Sequence, residues 1–166
     1  MSNKLFFDFN DGKGPVPAHR HVNPDGTEGG WVADSAFVES TCFVGKDAKV
    51  YGKARVSEKA EVFSGAQVFG NAQVSGNAWI YDNAQVFGNA EVYGNACVFE
   101  NAQVSGDARV FGEALIYGNS KIRGASDIKG NSRIHNKSFR FNFSYSDIIC
   151  EESDFKKETI EEKVQA

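Results

Sequence analysis

The side chains best suited to chemistry in this chain are three histidines and a run of cations. His19 and His21 flank one arginine in PVPAHRHVNPDG, so an extended strand puts both imidazoles on one side, with Asp25 and Glu28 nearby. Zinc takes three or four ligands, and a polar loop turning at Asn23-Pro24-Asp25-Gly26 accounts for the same residues. No metal or other cofactor is expected. Between Asn119 and Arg140 stand Lys121, Arg123, Lys129, Arg133, Lys137 and Arg140 against one acid, Asp127. Lys121, Arg123, Lys129, Arg133 and Arg140, with His135, form the candidate site for an anionic small molecule such as a nucleotide, above all if several copies converge. The competing reading is a solvated end segment, partly neutralised by residues 151–166, which carry six acids and three lysines.

Charge and composition narrow the partners. A formal charge of −4 over 166 residues is too mild for general nucleic-acid or membrane affinity, and no sequence-specific nucleic-acid partner is expected. Cys42, Cys97 and Cys150 are an odd set without CxxC spacing, which argues against a disulfide framework and fits a reducing compartment. The N-terminal stretch MSNKLFFDFNDGKG lacks the apolar core of a signal peptide, and no apolar run could span a bilayer. A cytoplasmic protein is expected.

The elements that must position these residues are written in a repeat. From Val32, every sixth residue to Ile134 is Val or Ile, eighteen in succession. Four residues after each comes a small side chain: Ala36, Cys42, Ala from Ala48 to Ala114, then Ser120, Ser126, Ser132 and Ser138. The two residues between are usually Gly-Asn, as at Gly70-Asn71. Residues two apart share a strand face, so the small and aliphatic positions point inward together. Gly and Asn tolerate the positive φ of a sharp corner, so each unit reads as a short strand and a turn. A six-residue period is far too short for an α-solenoid.

This pattern resembles the hexapeptide-repeat superfamily, and its long GNAxVxGNA arrays resemble bacterial and phage proteins of that kind. The resemblance implies an all-β, left-handed parallel β-helix with three hexapeptides per triangular coil. Eighteen units then make about six coils, a prism about 29 Å tall at the usual strand spacing. The expected organisation is an N-terminal cap and loop over 1–31, the β-helix over 32–138, and a cap strand with an acidic helical tail over 139–166. Acyltransferases of the superfamily use a His base, and its gamma-class carbonic anhydrases bind zinc through three His. Here no loop interrupts the coils to carry such a base, the ligand spacing is absent, and catalysis is the alternative rather than the leading reading. An ice-binding face would need regularly spaced Thr, which occurs only at positions 27, 41 and 159.

An eighteen-residue coil sorts the outward residues onto three faces. The first carries Gln67, Gln85 and Gln103 and reads as wet; the second, with Arg55, Glu91 and Arg109, is mixed. The third carries Phe43, Phe63, Trp79, Tyr81, Phe99, Leu115 and Tyr117, with Cys97 between them. An exposed stripe of that size needs a cover. Trimers are common in the superfamily, so a homo-oligomer, trimer favoured, is expected to bury it; a terminal segment of the same chain is the alternative cover. Residues 4–9 read as a short strand or plug, and Phe139, Phe141, Phe143 and Tyr145 as one strand face. Together these readings give a non-catalytic binding or scaffold protein, possible phage origin resting on the resemblance alone.

Overall fold

The computed structural model describes residues 4–139, 144–146 and 149–150. Among these the chain is all-β, a solenoid of about six turns with three flat walls. Through the repeat each wall is built of two- or three-residue strands joined in parallel with an eighteen-residue step, so Gln67 aligns with Gln85 and Gln85 with Gln103. The second and third walls repeat this register, with Gln73 on Glu91 and Trp79 on Cys97.

The strands form because each six-residue unit satisfies its backbone in the next coil. Gln67 donates its N–H to the Ala84 carbonyl at 2.9 Å, and Phe69 donates to Val86 at 3.0 Å. Inside, the Val and Ile of every unit from Val44 to Ile134 are fully buried, and so are the alanines from Ala48 to Ala114. Burial of one such Val or Ile contributes about 1.5–3 kcal/mol. Ser120, Ser126 and Ser132 are buried too, and each hydroxyl donates to the carbonyl three residues earlier, at 2.7, 3.0 and 2.6 Å.

The corners divide their work between Gly and Asn differently from the sequence reading. Gly70 holds the positive φ, at 72°, and a Cβ there would press on the Gly88 backbone of the next coil at 3.0 Å. Asn71 is not in that conformation. Its amide donates to Asn89 at 3.0 Å, and Asn89 donates to Asp107 at 2.9 Å, forming a side-chain ladder down the corner.

The C-terminal end of the repeat departs from the six-residue register. Ser138 is exposed rather than inward, because the last unit is one residue short: Ser138 aligns with Lys121, and Phe139 fills the aliphatic column under Ile122. The strand ladder also continues past the expected boundary at 138, with Ser144–Ser146 on the second wall and Ile149–Cys150 on the third. The expected tail helix, and the side chains of Phe141, Phe143 and Tyr145, lie outside the described residues.

At the N-terminal end the strand Val16–Val22 pairs antiparallel with Glu28–Ala33, and Phe6–Phe7 pairs with Val16–Val22. Gly29 and Gly30 lie against the carbonyls of Val44 and Ala48, where a Cβ has no room. The first strand of the third wall, Phe43–Val44, has no coil before it. Side chains replace that coil: Asn23 Oδ1 accepts the Val44 N–H at 2.8 Å, and His21 Nε2 donates to the Cys42 carbonyl at 2.9 Å.

Two outcomes test this architecture. Val86→Asp should destabilise by more than about 4 kcal/mol, because its charge would enter a fully buried column, whereas Gln85→Asp should cost about 1 kcal/mol or less in denaturant titrations. Asn23→Leu should cost about 1–3 kcal/mol, since it leaves the buried Val44 N–H without its acceptor; thermal melts compare the two chains.

Candidate functional site

Eighteen-residue register stacks equivalent side chains at the strand spacing, so outward aromatics become ring ladders. On the third wall Tyr81, Phe99 and Tyr117 stack at 4.8 and 5.0 Å with their planes within 2–4°, and His135 continues the column on Tyr117 at 4.7 Å. Nearer the N-terminal end Phe43 meets Phe63 at 5.3 Å, and Phe63 meets Trp79 edge-on at 6.2 Å. Leu115 aligns with Cys97 on the same wall. All seven residues expected at an interface are thus on one face, and Trp79 is 47% exposed at its middle.

The first wall is not simply wet. Tyr51, Phe69 and Phe87 form a second ladder, with steps of 4.9 Å, beside the glutamines. Phe9 stacks on Tyr51 at 4.7 Å, and Phe7 bridges Phe9 and Trp31 at 4.9 and 4.5 Å. The N-terminal segment therefore packs on the first coils of the first wall, at Trp31 and Tyr51, rather than on the third wall. The signal was present in LFFDFN, where Phe7 and Phe9 share one side, but the register alone could not say which ladder they join. Burial, and then the Asp11 carboxylate, push the Tyr51 hydroxyl up to about 12.

The structure does not gather the basic residues. Lys121 and Arg123 lie on the first wall, Lys129 on the second, and Arg133 with His135 on the third. Arg140 lies outside the described residues. Asp127, the acid among them, is held by Arg109 through an Nε contact of 2.7 Å. His19 and His21 are separated by their partners: His19 Nδ1 is 3.1 Å from Asp34 Oδ1, while His21 is buried on the Cys42 carbonyl. His135 Nε2 accepts from the Asn136 amide at 3.0 Å. Among the described residues no three His, Cys, Asp or Glu side chains converge as a metal site.

Shallow grooves run along the corners. One of about 380 Å³ adjoins the aromatic wall between Phe43, Lys59, Glu61 and the Pro24-Asp25 turn. Another, of about 370 Å³, lies at the corner between Asp82, Asn83, Glu100 and Asn101. No helix among the described residues is long and apolar enough to cross a membrane.

Fold and repeat together define a β-solenoid repeat protein. The YdcK Beta solenoid repeat family matches residues 66–82, 72–86 and 102–118, in the middle coils where the Gly-Asn-Ala units are most regular. No curated protein and no solved structure matches the chain.

The packed N-terminal segment makes a pH-dependent prediction. Tyr51 titrates higher folded than the ordinary tyrosine value of about 10, so its contribution is complete below pH ~10 and is lost as pH rises through about 12. Tyr51→Phe should remove about 1–2 kcal/mol of the stability loss between those limits, measured as the slope of urea-unfolding free energy against pH.

Proposed function

We propose that the protein is a non-catalytic scaffold that assembles with copies of itself through the third wall. The observation that carries this reading is the half-exposed Trp79 at the centre of a continuous aromatic face. Its apolar neighbours make a patch of the kind that marks interaction surfaces. The N-terminal segment is already committed to the first wall, which leaves the third to another cover. Division of the cations among three walls favours a scaffold over an anion pocket within one chain. A nucleotide or other anion would need several copies to bring those cations together. The histidines support the same reading, since each is engaged separately with a carboxylate, a carbonyl or an amide.

Trp79→Lys combined with Tyr81→Glu should convert the assembled protein to a smaller species in sedimentation velocity while the β-rich circular dichroism is retained. A native protein that sediments as a monomer at tens of micromolar would remove this function.

A further inference from the structure

We infer that the third wall packs on the same wall of a second copy about a two-fold axis lying along the strand Cys97–Val98, with the two prisms running in opposite directions. This rests on the self-association proposed above and adds its geometry and partner. The third sheet has seven strands, and Cys97–Val98 is the fourth. In the outward column before each aliphatic residue, Trp79, Glu61 and Phe43 follow one another from Cys97 toward the N-terminal end. Toward the other end the register places are Leu115, Arg133 and Ile149.

A two-fold axis parallel to the strands keeps each column facing itself and reverses the order of coils. Cys97 then meets Cys97, Trp79 meets Leu115, Glu61 meets Arg133, and Phe43 comes level with the place of Ile149. From Glu61 to Arg133 the sequence of characters on this column is acid, apolar, Cys, apolar, base. It is unchanged by reversal except that the charge changes sign, which is what an isologous interface requires. The second outward column behaves the same way about Phe99: Tyr81 meets Tyr117, and Phe63 meets His135.

Charge selects this arrangement over the parallel ones. Prisms packed in parallel, in pairs or threes, set Glu61 level with Glu61 and Arg133 level with Arg133, and like charges facing across an interface are unfavourable. Neither residue has an ion-pair partner within the chain among the described residues. At the corner beside the axis, Glu100 is tied back to the Gly118 N–H of its own chain at 2.6 Å. The middle of the wall is flat, because the rings of Tyr81, Phe99 and Tyr117 turn by only 2–4° where most sheets twist by about 20° per strand.

Charge reversal tests the geometry in the full chain. Glu61→Arg alone and Arg133→Glu alone should each weaken the dimer about tenfold in equilibrium sedimentation, because two symmetry-related pairs become repulsive. The double variant should restore the native dissociation constant. Both positions face outward, and unchanged melting temperatures and circular dichroism at low protein concentration confirm that the variants fold. A dimer indifferent to the single reversals, a double variant no tighter than the singles, or a trimeric native protein would overturn the antiparallel arrangement. In those cases the self-association reading survives if the Trp79 and Tyr81 variant still dissociates. A monomeric native protein would overturn both.

Discussion

The ladder of backbone hydrogen bonds from one coil to the next is the constraint on which everything else in this protein depends. An N–H in one coil donates to a carbonyl seventeen positions on, as from Gln67 to Ala84 and from Gln85 to Ala102, both at 2.9 Å. That spacing holds only if every coil closes in eighteen residues. Closure in turn requires three corners of fixed length and an interior no wider than one aliphatic and one small side chain per unit. Val and Ala fill that space at nearly every coil, and the turn glycines let adjacent corners approach as closely as the strands do.

Because the step is constant, each side chain is stacked on its own equivalent, and the surface is limited to residues that tolerate such company. Asparagines do so by passing amide hydrogen bonds down a corner, and aromatics do so by stacking face to face. On the mixed wall the charges alternate, as Glu91, Arg109 and Asp127, with Arg109 bound to Asp127. Glu61 and Arg133 escape the same rule by standing four coils apart, among apolar neighbours. The surface chemistry of the solenoid is a consequence of its register.

The ends are where the register fails, and there the chain uses devices that are not repeats. At the start, an antiparallel hairpin extends one wall, while Asn23 and His21 supply the acceptor and donor that an earlier coil would have given the third wall. Blunting the edge in this way removes a template for end-to-end pairing. The same hairpin brings Phe7 and Phe9 back onto Tyr51 and Trp31, so one aromatic ladder is internal to the chain. The third wall has no such cover among the described residues.

Much of this was legible in the residues themselves. The inward column from Val32 to Ile134 follows from counting by six, since strand alternation is local and periodic, whereas the eighteen-residue register, and with it the grouping of Phe43, Phe63, Trp79, Tyr81, Phe99, Leu115 and Tyr117 on one wall, rested on the resemblance to triangular hexapeptide coils. The bonding of Ser120, Ser126 and Ser132 to backbone carbonyls followed from the cost of burying a hydroxyl without a partner. Counting could not reach contacts made between segments of different register. The pairing of Phe9 with Tyr51 and the use of His21 and Asn23 as an edge cap depend on how non-repeating chain lies against the prism. Phe139 shows the boundary between the two kinds of knowledge. The six-residue count lands on Arg140, where the repeat was expected to break, but a coil one residue shorter carries the inward column on with Phe139, whose ring is favourably buried there.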